Sequence, residues 1–157
     1  MSYNGDDFEN LGDLDIEGIA REELFKISIQ FQTKWQDRLL DAGWKNTGEA
    51  INDITVEPQA EGSTSYTIGG DVIQLAISEF GRSPGSFPPP DAMGQWVHEQ
   101  QSLPNKGDDE FDNVVFLVSR AVAENGIEPI MGGRNTWHEL EGEYERRVSE
   151  RVERELR

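Results

Sequence analysis

Asp71-Val72-Ile73-Gln74-Leu75-Ala76-Ile77-Ser78-Glu79-Phe80 is the stretch on which the fold class turns. Read with a period of two, it puts Ile73, Leu75 and Ile77 on one face and Val72, Gln74, Ala76, Ser78 and Phe80 on the other, the pattern of a strand. Gly69-Gly70 just before it is a turn signal, and Thr64-Ser65-Tyr66-Thr67-Ile68 precedes that turn. The expectation is a hairpin of Thr64 to Ile68 with Val72 to Ile77. A further short strand is expected within Ile51 to Glu57, around Ile54-Thr55-Val56, with Pro58 closing it because proline cannot donate to a ladder.

Moving outward, the helical signals dominate. Leu24, Ile27, Phe31, Trp35 and Leu39 recur at three- and four-residue steps from Arg21 onward, an amphipathic helix that stops near Ala42-Gly43. Gly81 to Pro90 holds Pro84, Gly85 and Pro88-Pro89-Pro90, a stiff connector, and leads into a short helix with Met93, Trp96 and Val97 on one side. After a polar loop over Gln100 to Lys106, Asp108 and Asp109 favour a helix start. Phe111, Val114, Val115, Val118, Ala121 and Val122 then form a stripe that should lie centrally in the core and end at Asn125-Gly126. Thr136 and Glu139 have capping-box spacing at the head of a last helix over 136–157, along which Leu140, Tyr144, Val148, Val152 and Leu156 step by four between Glu and Arg residues. A stripe so narrow, on a helix so charged, suits a partner subunit; an autonomous helix laced by its own ion pairs is the alternative. The sum is an α+β fold: a small antiparallel sheet packed against helices, with long N-terminal and C-terminal helices. Residues 1–18, poor in apolar positions, are expected as a flexible acidic arm, and 19–157 as a single domain.

The chain has 157 residues, 35% apolar and 29% charged, with mean hydropathy -0.66, which matches one domain and no membrane span of roughly 18 to 20 apolar residues. The N-terminus shows no secretory signal, and with no cysteine there is no disulfide, thiolate metal site or cysteine nucleophile. Charge is the strongest compositional feature: 31 Asp and Glu against 14 Lys and Arg give a formal charge of -17. Nucleic-acid readers carry the opposite sign. Lysine is scarce, confined to Lys26, Lys34, Lys45 and Lys106. That balance fits a salt-loving host, where a Debye length of roughly 3 Å in molar salt lets a dense carboxylate surface persist; an acidic protein of a mesophile with a disordered acidic tail is the other reading.

Catalytic patterns are missing. His138-Glu139-Leu140-Glu141-Gly142 begins like a zinc-protease helix but has Gly142 where the second histidine must stand, so His98 and His138 read as surface residues. Asp108-Asp109-Glu110 and Asp112 lack the alternation and the glycine of a calcium loop. Gly69-Gly70, Gly81 and Gly132-Gly133 make no phosphate-binding fingerprint, and no serine lies in a nucleophile elbow. The expectation is a protein that is not an enzyme, with no catalytic residue, cofactor or metal.

One ordered set of motifs points further. Ile77-Ser78-Glu79-Phe80-Gly81, then Pro88-Pro89-Pro90 leading to Trp96-Val97, then Phe111 to Asn125, then Gly126-Ile127-Glu128-Pro129, resembles the tail-component family of tailed phages, the small neck, head-tail joining or tail-completion proteins of siphoviruses. The match is detailed over residues 70–135. It departs after Pro129, where Ile130-Met131-Gly132-Gly133-Arg134 replaces an aromatic-rich segment. Together with the charge balance, the resemblance implies a virion structural protein of a haloarchaeal tailed virus, located in the neck or tail and assembled in the host cytoplasm. It implies a ring, a hexamer of this chain, between a head-tail adaptor or stopper protein and a tail-terminator or tail-tube protein. DNA would be only a passing cargo, repelled by lumenal carboxylates, and no membrane is involved. Leu140, Tyr144, Val148, Val152 and Leu156 on the last helix, and Phe87, Pro88 and Pro89 in the proline loop, are the expected oligomer and partner contacts. The competing function is a halophilic acidic binding module or inhibitor that occupies a basic partner.

Overall fold

A computed structural model describes residues 14–44, 48–61, 63–99 and 103–157. Its elements in chain order are α1 (Ile16–Asp41), α2 (Glu49–Asn52), β1 (Thr55–Pro58), β2 (Tyr66–Gly69), α3 (Ile73–Phe80), α4 (Pro90–Glu99), α5 (Phe111–Asn125), α6 (Gly132–Leu140) and α7 (Glu143–Glu155). The fold is α+β, with one two-stranded antiparallel sheet among the described residues and long helices towards both ends. Packing groups the residues into two compact units. Met1–Trp35, Thr55–Gly69 and Gly133–Arg157 form the first; Gln36–Ile54 and Gly70–Gly132 form the second.

α1 begins earlier than the hydrophobic stripe suggests, because the Asp15 carboxylate accepts the Gly18 N–H at 2.8 Å and caps the first turn. The helix therefore enters the segment expected as an arm; residues 1–13 of that arm lie outside the described residues. Its other end is a Schellman motif. Gly43, at φ 82°, donates to Leu40 O at 3.0 Å while Trp44 N donates to Leu39 O at 2.9 Å.

In the first unit, β1 and β2 pair with Val56 opposite Ile68 and Pro58 opposite Tyr66. Two strands are not stable alone, and the Tyr66 ring rests on Phe25 of α1 with centroids 5.7 Å apart. Ile19, Ile27 and Trp35 of α1 and Leu140 of α6 are the buried apolar side chains there. Gly133 is needed for close approach: a Cβ on it would stand 3.1 Å from the Trp35 ring.

The expected hairpin between Thr64 to Ile68 and Val72 to Ile77 does not form. Residues 73–80 are helix α3, and β2 pairs with β1 instead. Val72 to Phe80 also has a reading at helical spacing, in which Leu75 and Ser78 share a face; these are its two buried residues. Gln74, Leu75, Ala76 and Glu79 are good helix formers. Two carboxylate and hydroxyl contacts reinforce the helix: Asp53 Oδ2 accepts the Val72 N–H at 2.9 Å, and Ser78 Oγ donates to Leu75 O at 2.7 Å. The first lies nineteen residues away in sequence, beyond the reach of a local pattern.

The second unit is closed by two matching helix exits. α3 ends at Gly81 (φ 72°, ψ -168°) and α5 at Gly126 (φ 74°, ψ -162°). Directly after them Arg82 and Ile127 exchange both backbone hydrogen bonds at 2.8 Å, an isolated antiparallel bridge. Gly85 N donates to Ala123 O at 2.8 Å, and Ile130 N to Ser78 O at 2.7 Å, so the connector and the segment after Pro129 are tied to the same helices. α4 opens on Pro90, whose missing N–H is harmless in a first turn, and buries Val97 completely; a Cβ on its Gly94 would stand 3.9 Å from the Phe111 ring of α5.

Three further expectations are corrected. The stripe on α5 is not the deepest part of the core: Phe111, Ser119 and Ala123 are its buried residues, Val114, Val115, Val118 and Val122 are half-buried, and Ala121 is exposed. Asp108 and Asp109 do not cap α5. The N-cap is Glu110, with no side-chain cap bond, and Asp108 instead accepts the Asn105 N–H at 2.6 Å within its own turn. The last helix is not continuous over 136–157 either: it starts at Gly132, which puts Thr136 in the helix interior, fully buried, and it breaks at Glu141-Gly142. Glycine's backbone freedom makes Gly142 the weak point of that run.

Candidate functional site

The expected contact residues fall in both units. Leu140 is buried on α6, whereas Tyr144, Val148, Val152 and Leu156 are half-buried on and just after α7, on the far side of the break. Within the first unit α7 is fastened to α1. Arg147 donates to Gln30 Oε1 at 2.6 Å, and Arg151 reaches Glu22 at 2.6 Å and Glu23 at 3.1 Å while also holding Glu155 of its own helix at 3.3 Å. On a helix that looks built for solvent, Arg151 thus recognises carboxylates and Arg147 a carboxamide on another helix of the same chain.

The charges respond as that geometry requires. Lys26, with Arg151, holds the Glu22 carboxyl below the usual carboxylate range. Glu23 is buried and would titrate higher for that reason alone, yet its bond to Lys26 outweighs the desolvation, Arg151 adds to it, and the carboxyl stays low. Arg146 does the same for Glu143, and the guanidinium of Arg151 is raised by Glu22 and then by Glu23. A carboxyl whose folded-state pKa is depressed contributes its full stabilisation above its unfolded value, near 4.5, and loses it as pH falls through the folded value. Hydrogen-exchange protection of the α7 amides should therefore stay flat from neutral pH to about pH 5 and then decline. Constant protection down to about pH 3 would show that these pairs do not hold α7.

The second unit carries the other expected contacts and an apolar recess. Phe87 is exposed and stacks on the exposed Phe116 of α5 with centroids 6.0 Å apart and planes 26° from parallel. Pro88 is buried and Pro89 exposed, and both line a groove of about 260 Å³ with Trp44, Ile73, Ile77, Met93 and Trp96. Glu49 and Arg82 stand at its polar edge; the Arg82 guanidinium donates to Ser86 O at 2.8 Å. Around this unit Ile73, Phe80, Phe87, Phe116 and Leu117 remain exposed, Phe80 at 73%. Sequence reasoning named Phe87, Pro88 and Pro89 but missed Trp44, Ile73, Ile77 and Met93. For Ile73 and Ile77 the signal was the helical face of residues 73–80, hidden while that segment read as a strand; Trp44 and Met93 reach the groove from other elements and no local pattern marks them.

Neither histidine meets a cluster of ligands. His98 Nδ1 accepts the Lys106 N–H at 3.5 Å, and His138 Nδ1 lies 3.8 Å from Glu141 Oε2; both side chains are exposed. Among the described residues no group of three or more His, Cys, Asp or Glu side chains is placed to hold a metal ion, and no helix is long and apolar enough to cross a membrane. What the arrangement offers chemically is apolar and aromatic surface set among carboxylates. Comparison with protein families, with curated proteins and with solved structures finds no match to this chain.

Proposed function

We propose that this chain is a non-catalytic assembly protein, a ring of six copies at the head-tail junction of a tailed virus of a salt-loving host. It would join the portal-adaptor complex to the tail tube and leave a passage for DNA. The observation that carries the reading is the exposed apolar surface of the second unit. A chain with charge -17 and little apolar residue to spare still leaves Ile73, Phe80, Phe87, Phe116 and Leu117 in contact with water. Phe87 and Phe116 stack on one another in water, and large apolar side chains grouped on an otherwise carboxylate-rich surface mark protein-protein contact.

The motif order lends support in part. The proline turn leads into a helix bearing Trp96-Val97, and a second helix ends at the Gly126-Ile127-Glu128-Pro129 exit, the order the resemblance implies, whereas Ile77-Ser78-Glu79-Phe80 closes a helix where the resemblance implies a strand. Fold analogy alone assigns no function, so the proposal rests on the surface and on the motifs jointly. Carboxylates facing a lumen would suit a conduit, since they repel phosphate.

The test is the particle. The chain should be recovered from purified mature virions at about six copies per particle, as one band of symmetric density between head and tail. Its absence from particles would remove the reading. A stable one-to-one complex with a basic protein, dispersed by molar salt, would favour the acidic binding module instead.

A further inference from the structure

The two-stranded sheet of the first unit has two outer edges, and they differ. Gln59 N donates to Ser65 O at 3.0 Å, one step beyond the pairing of Pro58 with Tyr66. Alternate residues bond inward in an antiparallel ladder, so Thr55 and Glu57 of β1 and Thr67 and Gly69 of β2 bond within the sheet. Val56 and Pro58 therefore turn their backbone groups outward from β1, and Tyr66 and Ile68 turn theirs outward from β2. Proline has no N–H, and the Glu57 beside it is exposed, so the β1 edge is blunted in two of the ways by which sheets resist pairing. The β2 edge has neither. Among the described residues the Tyr66 and Ile68 N–H groups meet no acceptor.

Charge sets the same edge apart. Residues 62–70 contain no Asp, Glu, Lys, Arg or His, the longest such run in a chain whose formal charge is -17. Two copies of so acidic a chain repel one another, and least where neither brings a carboxylate. The strand is also complementary to itself. Placed antiparallel about a two-fold axis at Thr67, two β2 strands set each Tyr66 opposite Ile68 of the other copy, in the pairing where both residues exchange N–H···O bonds. All four outward N–H groups then have acceptors, and aromatic faces β-branched side chain, a favourable cross-strand pair.

We infer that the free chain forms a two-fold dimer through this edge, a four-stranded sheet in the order β1-β2-β2-β1 with the β2 strands of two copies side by side. Such a sheet exceeds the three strands that stability needs, which one copy alone does not supply. The contact is isologous and closes at two chains, whereas a ring needs a heterologous one, so the inference goes beyond the ring reading and does not depend on it.

Thr67 gives the test. It is exposed, on the face away from Tyr66 and Ile68, and in this register it stands opposite Thr67 of the second copy. In a dimer Thr67→Glu sets two carboxylates directly across from each other, with Glu57 flanking each; in the monomer the new side chain stays in water. Circular dichroism should show the fold kept. Sedimentation equilibrium in molar potassium chloride, which screens exposed charges at a distance far more than groups in contact, should give a wild-type dimer at millimolar chain concentration. Thr67→Glu should associate at least about fivefold more weakly, and an equimolar mixture with Thr67→Lys should regain association as heterodimers. Amide hydrogen exchange of the wild type is the second measurement: protection of Tyr66 and Ile68 should rise with chain concentration far more than that of Thr67, which is already bonded within the sheet.

The inference is overturned if Thr67→Glu associates as wild type does, or if the mixture gains nothing over Thr67→Glu alone. Association without concentration-dependent protection of Tyr66 and Ile68 would move the contact to another surface and overturn it as well. If wild type stays monomeric, the edge is left to an extended segment of another protein and the inference fails. None of these results bears on whether the chain is found in virions, so the proposed function is tested separately.

Discussion

Gly126→Ala is expected to lower the stability of the second unit by at least ~2–3 kcal/mol, a large share of the roughly 5–15 kcal/mol that holds a typical domain. Gly126 has φ 74° and ψ -162°, a backbone region open essentially to glycine alone, and holding another residue there costs about 1–3 kcal/mol. A Cβ at this position would also stand 2.2 Å from Arg82 O, an atom already engaged with Ile127 N, so relief would require opening the bridge that joins the two helix exits. Gly43 is the control. It too has a positive φ, 82°, but a Cβ there meets nothing within 4 Å, so Gly43→Ala should cost only the left-handed penalty, about 1–2 kcal/mol. Urea titrations of both variants decide it: equal losses would show that the close approach at Arg82 contributes nothing.

Leu39→Ala should cost about 2–5 kcal/mol, the range for a fully buried leucine whose removal leaves a cavity. Leu39 has no exposed surface, and its carbonyl also accepts the Trp44 N–H that closes α1. Its neighbour Leu40 is 39% exposed, and Leu40→Ala should change stability by only about 0.5 kcal/mol. The pair separates burial from helix propensity, since both substitutions introduce the same residue one position apart. Losses of similar size would mean that the α1 stripe does not face a packed interior.

Much of the helical framework was legible from the sequence because helix signals are local. The stripe through Leu24, Ile27, Phe31, Trp35 and Leu39, the stop at Gly43, the prolines before α4 and the glycine after Asn125 act within a turn or two of themselves, and α1, α4 and α5 follow them closely. The strands around Val56 and Ile68 were legible for the same reason, while their pairing was not. The candidate site was half legible. Phe87, Pro88 and Pro89 stood out as a stiff apolar protrusion, but the groove beside Pro88 and Pro89 needed α2, α3 and α4 to converge, and no spacing rule joins Trp44 to Met93.

Composition alone determined the carboxylate-rich surface, the lack of thiol chemistry and the helical character of most of the chain, because charge, residue type and short-range periodicity do not depend on what a segment packs against. Only the tertiary structure decided that residues 73–80 are a helix, that Arg147 and Arg151 of α7 reach side chains of α1, and that Trp137 stays exposed while Trp35 is buried. Val72 to Phe80 satisfies both periods, so its state is set by partners distant in sequence, above all the Asp53 carboxylate on the Val72 N–H. Exposure is likewise a property of neighbours: the same indole is core at one position and exposed at another according to what the chain brings beside it.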